Sequence, residues 1–265
     1  MKPFLESLWE DYLDLTADAK RIHELFASKG EQIVNDHIAL RTFDRGALSL
    51  ENIKDYLSSQ GYSAVDEYHF EEKKLRAYHF EDLSDSEAPK IFVSELLLSE
   101  MPTEVQEICD GLIKEADKNV NEHGIDLPMM PWRKISSYEY ETLLKHSEYA
   151  AWLATFGLRA NHFTVSVNHL NNFETIEQVN QFLKDESFAL NKSGGEIKGD
   201  EQVALKQSST MANLVDWPFA DKKMMVRTCF YEFAERFNIP GTNTLYRGFV
   251  AASADKIFES TNVAA

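Results

Sequence analysis

An internal repeat with an offset of about 125 residues constrains this sequence more than any other feature. Residues 36–40 (DHIAL) resemble residues 161–165 (NHFTV), and both alternate as expected of a β-strand. After a short loop, each stretch is followed by a similar helical pattern, at residues 49–57 and 175–183. The offset differs by only one residue between the strand and the helix, so the two copies stay aligned across the whole unit. We therefore predict two copies of one folding module.

The residues after each helix extend this module. A turn containing Gly61 follows the first helix, a turn containing Gly194 and Gly195 follows the second, and strand-like runs come after both. This order predicts an α+β fold of two βαβββ modules forming a curved mixed sheet or half-barrel. The apolar runs of strand length are residues 33–43, 74–80, 90–98, 161–170, 202–209 and 224–237. The helical patterns outside the repeat are residues 3–28 and 103–156, the second with a break at residues 128–132.

The length of 265 residues allows one or two domains with substantial cores, and we interpret the repeat as one domain. A hydrophobic fraction of 43% is typical of a globular protein and argues against a disordered chain. The predicted boundaries are module one at about residues 30–100, a helical insertion at about 101–158 and module two at about 159–250, within a single domain of residues 1–265.

The net charge of −17 narrows the possible partners. Such a chain repels a phosphate backbone and an anionic bilayer at long range, so we predict neither nucleic acid nor a membrane as a partner. An anionic substrate would meet the same field, and its site would need a cation of its own. The sequence makes no prediction of oligomeric state.

Cysteine usage and the N-terminal sequence favour the cytoplasm. Cys109 and Cys229 have no CxxC spacing and cannot build a disulfide framework, so we interpret them as small buried apolar residues. The first fifteen residues carry acids where a signal peptide would be basic, and no run approaches the ~20 apolar residues of a membrane span.

Two histidines and one glutamate fall on the polar faces of predicted strands. Residues two apart in a strand share a face, so His37 and His162 lie opposite apolar residues at equivalent positions of the repeat, and Glu232 lies opposite Tyr231 and Phe233. Two His and one carboxylate are the ligands of the facial triad, which binds a divalent metal and leaves positions open. The alternative is that the histidines are hydrogen-bonded structural residues.

Arg41 is a candidate carboxylate clamp. It lies four residues after His37 on the same strand face, about 13 Å further along. A guanidinium can bind a carboxylate through two parallel hydrogen bonds, and it supplies the local cation that the chain otherwise lacks. The alternative is a salt bridge to one of the 44 acidic residues.

Several further polar residues are weaker candidates. Gln207 and Ser209 lie in a polar run on the strand before the glutamate strand and could donate hydrogen bonds to a substrate. Glu95 is interpreted as the repeat mate of Glu232, and His79 lies in a strand of the first copy. Either could be an alternative ligand or could support one.

These residues carry a resemblance to a known family. Residues 36–43, 161–164, 207–212 and 230–234 resemble the motifs of the 2-oxoadipate dioxygenase/decarboxylase family, also called hydroxyglutarate synthases. The resemblance implies a vicinal-oxygen-chelate type fold and a non-haem Fe(II) held by His37, His162 and Glu232, a site that other divalent metals can occupy. It also implies that Arg41 binds the substrate carboxylate. The strand at Glu232 is similar to the metal strand of 4-hydroxyphenylpyruvate dioxygenase, which favours Glu232 over Glu235.

The implied activity belongs to lysine catabolism: a 2-oxo acid and dioxygen are the partners, and 2-oxoadipate would give 2-hydroxyglutarate and carbon dioxide. Two alternatives stay open. One is another metal-dependent enzyme on the same modules, such as an isomerase or a ring-cleaving dioxygenase. The other is a non-catalytic ligand-binding protein in which the histidines and the glutamate are structural.

Overall fold

Helices and strands alternate along the chain in two matching halves. The computed structural model describes residues 2–261, so residues 1 and 262–265 of the predicted domain lie outside the described part. The helices are α1 (Pro3–Leu15), α2 (Ala17–Ser28), α3 (Leu50–Ser59), α4 (Thr103–His123), α5 (Ser137–His146), α6 (Glu148–Phe156), α7 (Ile176–Asp185) and α8 (Ala251–Ile257). The strands are β1 (Asn35–Phe43), β2 (Tyr62–Phe70), β3 (Leu75–Asp82), β4 (Lys90–Leu96), β5 (Ala160–Ser166), β6 (Lys198–Asp200), β7 (Leu205–Ser209), β8 (Leu214–Pro218), β9 (Lys223–Arg227) and β10 (Phe230–Arg236). Short 3₁₀ helices span Leu98–Glu100, Val167–His169 and Phe258–Thr261.

Eight strands form one curled sheet in the order β2-β3-β4-β1-β5-β10-β7-β6. In each half the first strand pairs in parallel with the last, β1 with β4 and β5 with β10. Two further strands then continue outward in antiparallel pairs, β3 and β2 in the first half and β7 and β6 in the second. The halves join where β1 pairs antiparallel with β5. The α+β fold of two βαβββ modules in a half-barrel is therefore confirmed.

The predicted strand at residues 224–237 is wrong as a single element. It is two strands, β9 and β10, interrupted at Thr228 and Cys229, and β9 pairs with β8 in a separate hairpin. Thr228 explains the break, because its carbonyl accepts a hydrogen bond from Trp152 Nε1 (2.6 Å) and its hydroxyl donates to the carbonyl of Leu15 (2.8 Å). Its carbonyl is therefore bonded to α6 instead of to a strand, while its amide still donates to the carbonyl of Asn213 beside β8 (2.9 Å).

Helices cover the apolar face of the sheet. Trp9 and Tyr12 of α1 pack on Phe163 of β5, each with ring centroids 4.9 Å apart, and Phe26 of α2 packs on Phe233 of β10 at 6.2 Å. Burying each such aromatic stabilises the fold by roughly 1.5–3 kcal/mol. The predicted division of these strands into an apolar and a polar face is confirmed.

Helices α3 and α7 pack beside α1 and α2, whereas α6 and α8 contact the polar face of the sheet. The insertion forms α4, α5 and α6, and the predicted break around residues 128–132 lies in the loop between α4 and α5. α8 contacts β2 and β6, the two edge strands, and so lies across the mouth of the half-barrel. No helix within residues 2–261 has both the length and the apolar character needed to cross a membrane.

Candidate metal centre

Three ligand side chains meet at the seam between the modules. His37 on β1 is in register with Thr164 on β5, and Thr164 is in register with Glu232 on β10, while His162 shares the face of Thr164 two residues earlier. The candidate ligand atoms of the two histidines and the glutamate lie within 4.8 Å of one another, and all three residues are buried. His162 Nε2 is 3.1 Å from Glu232 Oε2, and His37 Nε2 is 3.6 Å from Oε1. The convergence predicted from the repeat is present.

Hydrogen bonds on the far side of each ring turn the Nε2 atoms inward. His37 Nδ1 lies 2.7 Å from Asp36 Oδ1, and His162 Nδ1 lies 3.3 Å from Asn161 Oδ1. An acceptor at Nδ1 favours the tautomer with its proton there, which leaves a lone pair on Nε2. At His37 this nitrogen also lies 3.1 Å from the Thr164 hydroxyl, a contact that a bound metal would replace. Each ligand histidine is thus oriented by the residue that precedes it.

The electrostatics of the cluster keep the carboxylate ionised. Burial raises the pKa of Glu232, but the two neighbouring imidazoles outweigh it and hold this pKa at about 2. Burial lowers the pKa of His37, but the negative charges of Glu232 and Asp36 outweigh burial, so the pKa of His37 is raised. At His162 burial dominates, so the pKa of His162 is lowered. A neutral imidazole and an ionised carboxylate are the forms that bind a divalent metal.

The residues present fit a divalent metal. Glu232 Oε2 is buried and receives no hydrogen bond from any described residue, which is costly for an ionised oxygen unless a cation lies beside it. Two imidazole nitrogens face the same carboxylate, and this donor set suits Fe(II), Mn(II) or Zn(II). His37, His162 and Glu232 are therefore the residues that would hold the ion.

Gln207 supports the carboxylate directly. Its Nε2 donates to Glu232 Oε1 (2.6 Å), and the side chain also lines the small cavity above the cluster. Ser209, the other predicted substrate contact, has its hydroxyl 2.8 Å from that of Ser260 in the 3₁₀ helix near the C-terminal end of the described chain. Gln207 is therefore placed at the candidate centre, and Ser209 joins the sheet to the segment that covers it.

An apolar cover closes this cavity. Its volume is about 20 Å³, the room of about one water molecule. Besides the cluster and Gln207, the lining residues are Phe92, Phe249, Ala254, Ile257 and Phe258. Three of these come from α8 and the following 3₁₀ helix, elements that the predicted modules did not include.

Arg41 is held by three residues of α6 and by Thr261 of the last 3₁₀ helix. It is 1% exposed; Nη1 contacts both carboxylate oxygens of Glu148 (3.1 and 3.3 Å) and Nη2 donates to Thr261 Oγ1 (3.1 Å). The rings of Tyr149 and Trp152 lie 4.9 and 5.0 Å from its guanidinium carbon. Nε has no hydrogen-bond partner among residues 2–261. The alternative salt bridge therefore exists, and Arg41 is not among the described residues that line the cavity at the cluster.

The interpretation of Glu95 as the mate of Glu232 is wrong. Lys90 is opposite His37, as Phe230 is opposite His162, so Phe92 corresponds to Glu232 and Glu95 to Glu235. Both glutamates bind the start of a helix instead, since Glu95 accepts from the amide of Leu50 (3.0 Å) and Glu235 from that of Ile176 (2.9 Å).

His79 lies apart from the three ligands in a different contact set. Its Nδ1 is 2.9 Å from the Tyr68 hydroxyl, and its ring packs on Phe249 with centroids 5.4 Å apart. Through Phe249 it supports the wall of the cavity.

Sequence reasoning missed the residues that hold the ligands in place. Asp36 and Asn161 precede the ligand histidines within the repeat, so their position was a signal that could have been used. Arg236, which binds Asp36, and Glu148, which binds Arg41, gave no local signal because their partners are 200 and 107 residues away.

Paired βαβββ modules with two histidines and a glutamate at their seam define the class, a vicinal-oxygen-chelate type fold with a candidate metal centre. The sequence matches the 2-oxoadipate dioxygenase/decarboxylase family over residues 7–246, and the chain belongs to that family of enzymes. The resemblance predicted from the motifs is confirmed.

Individual relatives agree with this assignment. An Arabidopsis thaliana protein named a chloroplastic 2-oxoadipate dioxygenase/decarboxylase is 34% identical over 275 residues, covering 94% of this chain and 74% of the relative. The Oryza sativa hydroxyglutarate synthase, solved in complex with 2-oxoadipate, gives a TM-score of 0.90 at 31% identity over 98% of this chain and 91% of that one. A Shewanella frigidimarina structure described as a candidate hydrolase gives 0.86 at 46% identity over 94% and 97%.

Proposed function

We propose that this protein is an Fe(II)-dependent enzyme that converts 2-oxoadipate and dioxygen to 2-hydroxyglutarate and carbon dioxide. The observation that carries the proposal is the placement of Arg41 on the same strand face as His37, one ligand of the three-residue cluster. The names of the relatives support the substrate class. The atoms balance without a further reductant, since one oxygen atom enters the new carboxylate and the other the new hydroxyl.

The chain's own residues would divide the work as follows. His37, His162 and Glu232 would hold the iron, which when bound supplies the redox chemistry between the 2-oxo acid and dioxygen. Gln207 would keep Glu232 oriented and could touch the substrate. Arg41 would bind the remote carboxylate and so fix which carbon faces the centre.

Glu148 prepares Arg41 for this role. By holding Nη1 it turns the opposite edge, Nε and Nη2, toward a ligand, and that edge matches the two oxygens of a carboxylate. Thr261 contacts Nη2 and would have to give way to the substrate. The cavity holds about one water, so substrate entry also requires Phe258 and Ile257 to move outward.

The test is oxygen uptake after anaerobic loading with Fe(II). We expect uptake with 2-oxoadipate, one carbon dioxide per oxygen consumed and no need for added 2-oxoglutarate. His162→Ala should abolish uptake, while His23→Ala, at a half-buried histidine of α2 outside the cavity lining, should keep it. An iron-loaded protein that consumes no oxygen with any 2-oxo acid of five to seven carbons would be an isomerase, a hydrolase or a binding protein instead.

We also propose a cytoplasmic location. Both cysteines are buried free thiols, in keeping with a reducing compartment. The Arabidopsis relative is named as chloroplastic, so cell fractionation with an antibody to this chain is the deciding measurement.

A further inference from the structure

The two ligand histidines occupy equivalent positions but have different supports. Residue 36 is aspartate and residue 161 is asparagine, each directly before its histidine. The contact to the aspartate oxygen is 2.7 Å and the contact to the asparagine oxygen is 3.3 Å. One imidazole thus has a short charge-assisted bond and the other a long neutral one. Two modules that otherwise correspond closely differ at this point of the centre.

The aspartate is itself fixed by a buried arginine. Arg236 Nε and Nη2 donate to the two oxygens of Asp36 at 2.6 and 2.9 Å, and both residues are buried. Nη1 of Arg236 donates to the carbonyls of Gly248 (2.8 Å) and Tyr246 (3.2 Å). The guanidinium is held by the loop that leads into the cover, and the carboxylate has little freedom to rotate.

This pair connects the strands that carry the ligands. Arg236 lies four residues after Glu232 on β10, and Asp36 lies beside His37 on β1, so the pair spans the seam through β5. A buried aspartate without a cation would be strongly destabilising, and the arginine removes that cost. The charge of Arg236 therefore balances that of Asp36, and Asp36 Oδ1 still lies beside Nδ1 of the His37 ring.

We propose that Asp36, held by Arg236, is a positioning residue that makes His37 the more strongly binding of the two histidine ligands. The carboxylate fixes the His37 ring with its proton on Nδ1 and increases electron donation from Nε2. Asn161 holds the His162 ring without that charge, so the ion is bound unequally by the two modules. This inference rests on the proposed metal centre and goes beyond it by assigning unequal roles to its histidines.

The experiment compares Asp36→Asn with wild type by Co(II) titration against a competing chelator. The substitution gives the first module the residue of the second and keeps an acceptor at Nδ1. We expect Co(II) affinity to fall about tenfold or more, with a changed Co(II) absorption spectrum. Asp82→Asn, which removes another buried aspartate of the same sheet that pairs with Lys2 instead of a histidine, should change neither.

A second measurement uses metal-free protein. Nitrogen-15 NMR of the histidines should show a hydrogen-bonded proton on His37 Nδ1 in wild type and in Asp82→Asn. In Asp36→Asn the chemical shift of this Nδ1 proton should change. If Asp36→Asn alone does not fold because Arg236 is unpaired, the double variant Asp36→Asn/Arg236→Met removes both charges and should show the same loss of Co(II) affinity.

The outcomes separate the two proposals. Wild type that binds no Co(II) contradicts the metal centre itself. Wild type that binds Co(II), together with an Asp36→Asn or double variant of equal affinity and unchanged spectrum, overturns the role of Asp36 and leaves the centre intact.

Discussion

Arg41 is ion-paired with Glu148 and keeps one donor, Nε, without a hydrogen-bond partner among residues 2–261. Glu148 satisfies its charge from one side, and two aromatic rings hold its plane. A lysine could keep the charge but has neither the planar shape nor two parallel donors. The residue is therefore suited to discriminate ligands by shape as well as by charge.

Arg41→Lys should reduce turnover of a 2-oxo diacid by roughly ten- to a hundredfold, the equivalent of about 1.5–3 kcal/mol for one charge-assisted hydrogen bond. The loss should be much smaller for a 2-oxo monoacid of the same length, and Co(II) affinity should not change. Steady-state kinetics with both acids measure this. Arg76→Lys, at another arginine paired with a buried glutamate, is the matched control. Equal losses of metal affinity and turnover would mean that Arg41 supports the fold.

The sequence was sufficient to bring the three candidate ligands together and insufficient to identify the residues that support them. His37, His162 and Glu232 were predictable because the repeat and the strand alternation place them on equivalent faces. The pairing of Asp36 with Arg236 and of Arg41 with Glu148 depends on how distant strands and helices come together, and residue spacing does not encode that.

Among the elements, α3 and α7 share a way of starting that short-range rules do not describe. The first amide of each helix is bound by a glutamate on the last strand of its own module, Glu95 for α3 and Glu235 for α7. A carboxylate at a helix N-terminus also interacts favourably with the helix dipole. The misassigned Glu95 thus has a structural role that is repeated in both modules.

Glu95→Ala should destabilise the protein by about 1–2 kcal/mol and Glu235→Ala by less. The difference arises because Thr175 caps α7 with its own side chain, whereas Ser49 makes no such bond at α3. Denaturant unfolding gives the free energies, and hydrogen exchange should be faster in the first turn of the affected helix. Weakened Co(II) binding in Glu95→Ala would instead make it part of the metal centre.

Element prediction failed where tertiary contacts decide the backbone. The run at residues 224–237 has a continuous apolar pattern, but its two ends pair with different strands, β9 with β8 and β10 with β5 and β7, and the Thr228 carbonyl between them bonds to α6. The helices within residues 3–28 and 103–156 were predictable because their apolar periodicity is local.

At the scale of the whole molecule, the two modules are equivalent in topology and unequal in chemistry. Phe92 on β4 stands where Glu232 stands on β10, and both residues line the same cavity. A symmetric pair of modules would therefore present a carboxylate from each side. Phe92 leaves one side of the candidate centre without a carboxylate ligand, as the proposed binding of a 2-oxo acid and dioxygen would require.

Phe92→Glu should supply a fourth protein ligand. We expect Co(II) to bind roughly tenfold more tightly or better, about 1.4 kcal/mol, while oxygen uptake with 2-oxoadipate is largely lost. Phe92→Leu, which keeps an apolar side chain, should retain measurable uptake. Chelator competition and an oxygen electrode measure the two quantities. Full uptake in Phe92→Glu would show that residue 92 does not reach the metal.

The global arrangement was predictable as far as the repeat extends. Two βαβββ modules and the inserted helices followed from the sequence, but the cover formed by α8 and the next 3₁₀ helix did not. That segment has no counterpart in the first module, and its position depends on contacts with both sheet edges.

The division of the candidate ligands across the β1–β5 seam has a consequence for heredity. One half of the chain contributes a single histidine, and the other contributes a histidine and the glutamate. Neither half alone carries a complete donor set. If a duplication produced the two halves, each came to depend on the other once the donor set was divided unequally between them. Selection on a mutation in either half would then act through the centre that both halves form.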